Sequence, residues 1–289
     1  MNRLALGTVQ FGCAYGVANT SGRMNSEEAA LILSRAAEFG VDTLDTAVVY
    51  GDSEKRLGEI GVSSWRLVTK LPQIPPHCAD VEAWVNDVFK GSLARLGVDR
   101  VYGLHMHHPA DLFGVFGEQL FSVIKDLKCN GYVEKIGVSI YEPKELERIW
   151  ENCRFDMVQA PFSVVDRRLD SSGWLTKLKK DGVEVHVRSV FLQGLLLMTR
   201  AQMPVYFSRW KCLWTNWERW LKEQHLTPLE ACLGFVYSKE EIDRIVVGVD
   251  NLRHLDEILR SAKKLDIEFP PFLVCNEPDL VCPSQWPVK

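Results

Sequence analysis

Short apolar runs alternate with longer amphipathic segments along most of the chain. The runs are rich in β-branched residues, as buried strands are, whereas the longer segments repeat with the 3.6-residue period of a helix. Alternation of this kind favours parallel β/α units, and eight of them predict an α/β protein with a closed (β/α)8 TIM barrel. The eight predicted strands are Leu4–Leu6, Thr43–Asp45, Arg66–Thr69, Val101–His105, Lys135–Val138, Met157–Gln159, Glu184–Arg188 and Arg244–Val247.

Helical patterns fall between these strands. In the first of them an apolar stripe follows Asn25 or Ser26 as the N-cap and ends at Gly40. An open doubly wound sheet is the alternative architecture, but no G-x-G-x-x-G follows any strand. The helical patterns cover residues 26–39, 80–96, 143–151, 172–180, 228–236 and 252–264.

No break in composition divides the chain, so we predict a single domain over residues 1–289. Two segments lie outside the repeat: the Trp-rich segment 206–220 and the Pro-rich tail 269–289. Trp210, Trp214 and Trp217 are spaced by four and three residues, which predicts a packed amphipathic helix. The alternative is an aromatic lid, because the segment follows the seventh strand and the loops after barrel strands build the active site.

Composition narrows the functional classes. Of the 289 residues, 46% are hydrophobic and 25% are charged, which excludes disordered and fibrous proteins. The net charge is -4 without a dense basic stretch, so nucleic acid and anionic membranes are not expected partners. There is no 18-residue apolar run and no signal-peptide pattern, which predicts a cytoplasmic protein. The eight cysteines lack C-x-x-C spacing and are expected to be mostly reduced, buried thiols.

Polar residues follow three neighbouring predicted strands. Asp45 and Tyr50 follow the second strand, Lys70 ends the third, and His107 follows the fourth. Carboxyl ends of barrel strands meet at one rim, so these four side chains are expected to converge. A phenol can donate a proton to a carbonyl oxygen, and Lys70, held by Asp45, is expected to lower its pKa. A neutral His107 would donate a hydrogen bond to the developing alkoxide.

The chain resembles the aldo-keto reductase family in a series of ordered motifs. Residues 45–54 match D-x-A-x-x-Y-G-x-S-E, and residues 6–12 match L-G-T-x-x-F-G. The segments 68–70, 106–109, 137–139, 158–159 and 189–196 are similar to the family's third to seventh strand motifs, and the match covers roughly 4 to 260. The resemblance implies a TIM barrel that reduces an aldehyde or ketone with NADP(H) or NAD(H).

It also implies the catalytic roles. Tyr50 would be the general acid, Lys70 and Asp45 its tuning pair, and His107 the donor that orients the substrate. His107 takes that role because it stands two places before Pro109 in the L-H-x-P register. His105, the alternate residue of the same strand, is expected to point into the barrel or its wall.

The resemblance further implies a cofactor site along the strand ends. Its expected residues are Gly7, Thr8, Ser139, Gln159, Arg188, Ser189, Gln193, Gly194, Gly248, Asp250 and Asn251. Two departures stand out: Ile140 replaces the Asn beside the carboxamide-binding Ser139, and Arg188 replaces the aromatic residue that stacks on the nicotinamide. A guanidinium there would be repelled by the oxidised ring, which predicts a preference for reduced cofactor.

After the eighth strand, Asp250 stands where the family has a basic residue for the 2′-phosphate of NADP. A carboxylate repels a phosphate and can accept a bond from a ribose hydroxyl, so NADH competes with NADPH as the expected cofactor. Arg253 is the basic candidate nearby. Residues 188–196 are closest to bacterial members associated with surface polysaccharide pathways and point to a sugar; alternatively, Gln193 and Gly194 only shape a turn.

Two other functions are compatible with parts of the sequence. The altered positions Ile140, Arg188 and Asp250 suit a weakly active or inactive barrel that binds a nucleotide or metabolite, although the four catalytic positions are intact. A zinc hydrolase using His105 and His107 is the other, but no third ligand stands in a matching barrel position, so no metal is expected. A small carbonyl compound is therefore the expected partner, with no prediction of oligomeric state.

Overall fold

Eight parallel strands close into one barrel in the computed structural model, which describes residues 2–287. Each strand pairs with its neighbours in sequence order, and the first strand closes the barrel by pairing with the eighth. The predicted (β/α)8 TIM barrel is therefore confirmed. The strands are β1 (Leu4–Gly7), β2 (Thr43–Asp45), β3 (Arg66–Leu71), β4 (Val101–Met106), β5 (Val133–Ser139), β6 (Met157–Pro161), β7 (Glu184–Arg188) and β8 (Arg244–Gly248).

The strands extend further towards the rim than their apolar runs do. β2 and β7 have the predicted bounds, and the other six are longer. Ser139, for example, still pairs with Gln159 in register, because ladder bonds use the backbone and tolerate polar side chains. This extension fixes the polar residues at the rim in regular strand geometry.

Helices cover the outside of the barrel. Side-chain caps begin several of them: Asn25 accepts from the Glu28 N–H, Asp80 from the Ala83 N–H, and Thr227 forms a capping box with Glu230. The helices of at least seven residues in the described part of the chain are α1 (Ser26–Glu38), α2 (Ser53–Ile60), α3 (Val81–Leu96), α4 (Gly117–Cys129), α5 (Lys144–Asn152), α6 (Trp174–Lys180), α7 (Lys211–Gln224), α8 (Pro228–Tyr237) and α9 (Leu252–Ser261).

Two of these helices, α2 and α4, were not among the predicted patterns. Two others are shorter than predicted: α6 begins at Trp174, after Gly173 at φ 79, and α9 ends at Ser261. Short turns of helix complete the structure at Val9–Gly12, Pro109–Phe113, Arg168–Ser171, Leu195–Leu197, Val205–Trp210, Pro271–Leu273, Pro278–Val281 and Pro283–Gln285. No helix within residues 2–287 is long and apolar enough to cross a membrane.

The Trp-rich segment and the tail pack against each other. Trp214, Trp217 and Trp220 lie on α7 and are buried, and Trp214 donates its indole N–H to the Phe207 carbonyl at 2.7 Å. Trp286 of the tail packs edge-on against Phe207, with ring centroids 4.7 Å apart. Residues 211–220 thus lie on a packed amphipathic helix, whereas Trp210 ends the preceding helical turn Val205–Trp210; all four tryptophans are buried.

All eight cysteines are free thiols, as predicted, but most of them are not buried. Cys232, Cys275 and Cys282 are buried, whereas Cys129 and Cys212 are exposed and the remaining three lie between. The expectation of mostly buried thiols is therefore wrong. Cys129 ends α4 and Cys212 lies in the first turn of α7, on helix faces that are turned to solvent.

Candidate active site

The loop after β2 is held by a set of buried hydroxyl groups. Thr8 donates to the Asp45 carbonyl at 3.0 Å, and Ser53 donates to the Thr8 carbonyl at 2.9 Å. The Thr46 hydroxyl lies 3.1 Å from that of Ser53. Thr8 is completely buried and its side chain holds this loop; its predicted contact with a cofactor stays a prediction.

Gly12 fixes the position of Tyr50 through the backbone. A Cβ atom at residue 12 would lie 1.7 Å from the Tyr50 carbonyl oxygen, so only glycine allows this close approach. The turn Val9–Gly12 therefore packs directly against the loop that carries Tyr50.

Lys70 and Asp45 form a buried ion pair at the ends of β3 and β2. The ammonium donates to the Asp45 carboxylate at 2.6 Å and to the Thr46 carbonyl at 2.9 Å. Burial alone would raise the pKa of Asp45, but the charge and hydrogen bond of Lys70 outweigh it and leave that pKa lowered. The carboxylate is therefore ionised and holds Lys70 in place.

Tyr50 lies beside this pair. The Lys70 Nζ atom is 5.1 Å from the centroid of the Tyr50 ring. Burial raises the pKa of Tyr50 above its usual range, and the Asp45 carboxylate raises it further, against the lowering effect of Arg188. The expected net lowering of the Tyr50 pKa is therefore wrong, because burial and the Asp45 carboxylate outweigh the opposing positive charge. Tyr50 consequently keeps its proton at neutral pH, as a proton donor must.

His107 faces Tyr50 across the mouth of the barrel. Their ring centroids are 6.1 Å apart at an interplanar angle of 81°. Burial, with a smaller contribution from the charge of Lys70, lowers the pKa of His107 to about 3. The imidazole is therefore neutral at physiological pH, and its Nδ1 atom has no partner within the described chain.

His105 points into the barrel, as predicted, and is completely buried. Neither ring nitrogen has a partner in the described chain, and its ring centroid lies 6.1 Å from that of His186. Gly137 provides the room, since a Cβ atom there would lie 2.8 Å from the His105 Cε1 atom. His105 and His107 thus have different surroundings, and no cluster of three metal-binding side chains is found within residues 2–287.

Ser139 and Gln159 meet at the ends of β5 and β6. The Ser139 hydroxyl donates to the Gln159 side-chain oxygen at 3.3 Å, and the Gln159 amide donates to Asp45 at 2.7 Å. The second bond joins the predicted cofactor side of the site to its catalytic side. Ile140, which follows Ser139, is completely buried and brings no polar group.

Arg188 ends β7 and reaches across to the loop after β5. Its Nη2 atom donates to the Ile140 carbonyl at 3.0 Å, and its guanidinium carbon lies 4.7 Å from the centroid of the Tyr141 ring. One face of the guanidinium is therefore occupied by a tyrosine of this chain. Stacking of Arg188 on a nicotinamide stays a prediction.

The loop after β7 contacts the loop after β1. Ser189 and Gln193 have positive φ angles of 62° and 54°, and Gly194 follows at 88°, so this segment is a tight turn. The Ala18 N–H donates to the Gln193 carbonyl at 3.3 Å, and the Gln193 amide donates to the Tyr15 hydroxyl at 3.1 Å. These contacts bridge one side of the barrel mouth.

Acidic side chains surround the end of β8. Asp250 accepts from the Asn19 amide at 2.9 Å, and Asn251 caps α9 by accepting from the His254 N–H at 2.9 Å. Glu28 of α1 accepts from the Leu252 N–H at 2.7 Å. The first turn of α9 is therefore bonded to protein acceptors, one of them a carboxylate. The predicted Arg253 is largely exposed and lies 3.7 Å from Glu257.

The family model for the aldo/keto reductase family matches residues 3–269. The chain belongs to the aldo/keto reductase family. Family membership makes it an oxidoreductase of the class that acts on small carbonyl compounds, as the sequence predicts. The four residues that the family motif predicts to be catalytic are the ones that the structure brings together at one rim.

Two curated relatives agree with this assignment. The chain is 26% identical to the oxidoreductase sirO of Leptosphaeria maculans, over 92% of this chain and 90% of that protein. It is 24% identical to the D-threo-aldose 1-dehydrogenase of a Pseudomonas species, over 85% of this chain and 86% of that protein. Among solved structures, aldo-keto reductase AKR11C1 from Bacillus halodurans, in its holo form, has the same fold, with a TM-score of 0.73, 18% identity and coverage of 92% and 88%.

Two residues near this site of the aldo/keto reductase fold, Glu54 and Gln10, are not predicted from the sequence. Glu54 is buried and accepts from Thr69 and Ser92, at 2.6 and 2.5 Å, and pairs with Arg95. Gln10 packs against Gly248, and its side-chain oxygen is buried without a partner in the described chain. Glu54 had a signal as the last residue of the D-x-A-x-x-Y-G-x-S-E motif, whereas Gln10 falls on a variable position and had none.

Proposed function

We propose that the protein reduces an aldehyde or ketone to an alcohol, with a nicotinamide cofactor as hydride donor and Tyr50 as general acid. One observation carries this proposal: three strand ends bring Tyr50, the Lys70–Asp45 pair and a neutral His107 to one side of the barrel mouth. A protonated phenol, a buried cation beside it and a neutral hydrogen-bond donor opposite it are the groups that carbonyl reduction needs.

When bound, the reduced nicotinamide supplies the hydride that the carbonyl carbon accepts. Tyr50 gives its proton to the carbonyl oxygen, so that the carbonyl becomes an alcohol with atoms and charge in balance. Lys70 then stabilises the phenolate at a distance of about 5 Å from the ring. His107 donates a hydrogen bond to the same oxygen, and it does so best as the neutral imidazole that burial produces.

The residues present fit a dinucleotide along the strand ends. The partnerless oxygen of Gln10 against Gly248 offers an acceptor between β1 and β8. Ser139 and Gln159 would hold the carboxamide. Asp250, half-buried near the start of α9, would accept a ribose hydroxyl. Through the Gln159–Asp45 bond, the same residues would link cofactor binding to the position of the general acid.

NADH suits the adenosine end better than NADPH. A helix N-terminus is normally a good phosphate site, but the Leu252 N–H already donates to the Glu28 carboxylate. Asp250 adds a second carboxylate. Burial raises the pKa of Asp250, and the charge of His254 and the hydrogen bond from Asn19 partly offset that rise. A 2′-phosphate placed here would meet two acidic side chains at close range.

Titration of protein fluorescence with the two reduced cofactors tests this preference. We expect NADH to bind more tightly, and the double variant Glu28→Gln, Asp250→Asn to narrow the ratio of the two Kd values by about tenfold. Glu240→Gln, a matched change on the exposed Glu240, should leave the ratio unchanged. Binding of NADPH more than about tenfold tighter than NADH would show that the carboxylates do not set the choice.

A polar, hydroxylated carbonyl compound is the substrate class that we propose. The similarity to a D-threo-aldose 1-dehydrogenase supports a sugar, and the polar rim formed by Tyr15, Tyr141 and Arg188 is compatible with one. A screen of aldoses and simple aldehydes, followed by NADH absorbance, would identify the substrate.

Replacement of the acid tests the chemistry. In Tyr50→Phe we expect kcat for carbonyl reduction to fall by about 10²- to 10⁴-fold, the usual contribution of a positioned general acid, with the Kd for NADH changed less than about threefold. Tyr237→Phe, which removes a hydroxyl near Asn2, is the matched control and should keep the parental rate. Turnover of Tyr50→Phe at the parental rate would exclude Tyr50 as the proton donor.

A further inference from the structure

Arg188 carries a positive charge at the barrel mouth that no acidic side chain balances. Within residues 2–287 it forms no ion pair, whereas the neighbouring Arg168 is paired with Asp166 at 2.8 Å. The acidic groups close to it are already engaged: Asp45 binds Lys70, and Glu142 binds Lys144 at 2.5 Å. A half-buried guanidinium without a counter-ion is uncommon because its charge is partly desolvated.

The hydrogen bonds of Arg188 are also incomplete. A guanidinium has five N–H donors. Arg188 uses one on the Ile140 carbonyl at 3.0 Å and one, at 3.4 Å, on the Ser189 hydroxyl. Arg167, by comparison, donates to three carbonyls, those of Val164, Phe269 and Pro270, and is a structural arginine. Arg188 therefore keeps three N–H donors for a ligand.

Its surroundings hold the side chain towards the reacting groups. Tyr141 stacks on the guanidinium at 4.7 Å, and the Tyr141 N–H is itself anchored on Glu145 at 2.7 Å. The charge of Arg188 lowers the pKa of both His107 and Tyr50. Burial has the larger effect on each residue: it also lowers the pKa of His107, but it raises that of Tyr50. Arg188 also pairs in register with Pro161, two residues beyond Gln159, whose amide donates to Asp45 at 2.7 Å, so the guanidinium lies at the same rim as the proposed acid.

We infer that Arg188, supported by Tyr141, is a specificity-determining residue that binds an anionic group of the substrate, a carboxylate or a phosphate, a few bonds from the reacting carbonyl. The inference rests on the proposed reduction and narrows its substrate class to acidic aldehydes or ketones. A planar guanidinium binds such oxyanions through two parallel N–H bonds. In a protein of net charge -4, a local cation is also needed to attract an anionic substrate.

Two matched pairs of aldehydes test the inference. Butanal and succinic semialdehyde differ by a carboxylate, and glyceraldehyde and glyceraldehyde 3-phosphate differ by a phosphate. In the parent protein we expect kcat/KM to be at least about tenfold higher for the anionic member of one pair, which also identifies the anion. In Arg188→Met the ratio of kcat/KM for the anionic member to that for the uncharged member should fall to about one.

Three controls separate this role from others. Arg188→Lys keeps the charge without the planar fork and should restore part of the advantage. Arg35→Met removes another arginine stacked on an aromatic ring, Phe39 at 4.6 Å, far from the mouth, and should change nothing. The ratio of the Kd values of NADH and NAD⁺ should be the same in Arg188→Met as in the parent, whereas a shift in that ratio would support stacking of Arg188 on the nicotinamide and overturn the inference.

Calorimetric titration with succinate and with inorganic phosphate, in the presence of NAD⁺, distinguishes the two proposals. Reduction of the uncharged aldehydes without an Arg188-dependent advantage for anions would overturn the inference and leave the proposed function standing. Binding of either anion that is lost in Arg188→Met, without reduction of any aldehyde, would support the anion site and refute the reduction. Absence of both would refute both proposals.

Discussion

His105 shows how one residue can make the barrel sensitive to acid. Burial lowers the pKa of His105 to about 3, with a further contribution from His186. In the unfolded chain the pKa of a histidine is about 6.5. Below about pH 6.5 the unfolded state therefore binds a proton at His105, whereas the folded state does not bind it until the pH falls to about 3. Stability is consequently lost as the pH falls through this window.

We expect the free energy of unfolding to fall by about 1.4 kcal/mol per pH unit for His105 below pH 6, and by a similar amount for His107. Urea unfolding between pH 7 and pH 4.5 measures this slope. His105→Gln should remove about half of it, whatever its effect on stability at neutral pH. His77→Asn, at an exposed position, is the control. An unchanged slope in His105→Gln would contradict the neutral, buried state.

For single residues, the sequence predicts which side chains lie at the rim better than it predicts the surroundings of those side chains. The order of the motifs singles out Tyr50 and His107 correctly for the rim, because strand ends must converge in a barrel. The direction of the Tyr50 pKa shift does not follow from the motif, since it depends on burial and on the charge of Asp45. Nor does the local sequence show that the Thr8 hydroxyl donates to the carbonyl of Asp45, 37 residues away.

The C-terminal tail behaves as a structural element despite its lack of helical period. Leu280 and Trp286 are buried, and Trp286 both packs on Phe207 and donates to the Leu280 carbonyl at 3.1 Å. Arg209 pairs with Asp279 at 3.0 Å and adds a polar contact at the edge. The tail therefore joins the Trp-rich segment in a hydrophobic core that is continuous with that of the barrel.

Trp286→Ala should lower the free energy of unfolding by about 3–5 kcal/mol, because it removes a large buried side chain and leaves a cavity. Phe272→Ala, in the same tail but with the side chain 46% exposed, should cost less than about 1 kcal/mol. Denaturant unfolding of both variants measures the difference. Equal small losses would show that the tail is not part of the folded core.

The helices that the sequence does not predict are those with a weak local pattern. α2 is eight residues long and contains Ser53, Glu54, Lys55 and Arg56, so its polar face dominates, and Glu54 is buried only through partners on β3 and α3. α4 begins at Gly117 without a side-chain cap. The bounds of α1, in contrast, follow from Asn25 and Gly40, which carry a local signal.

The whole barrel is predictable because its evidence is spread over eight repeats, and an error of one or two residues in a strand does not change the topology. Long-range polar contacts are different. Gln159 bonds Asp45, and Glu28 bonds the start of α9, although nothing in the local sequence connects these positions. The fold and the polar residues at the rim therefore follow from pattern and order, while the contacts behind the proposed cofactor preference exist only in the closed barrel.

Closure of the barrel has a consequence for synthesis of the chain on the ribosome. One edge of β1 pairs with β2, but on its other edge Leu4 and Gly7 pair with Ile245 and Gly248 of β8. At a translation rate of about 5–20 residues per second, the first strand waits on the order of 10–50 seconds for the last one. During that interval its free edge is open to other nascent chains. We therefore expect the newly made protein to depend on chaperones until the eighth strand has left the exit tunnel.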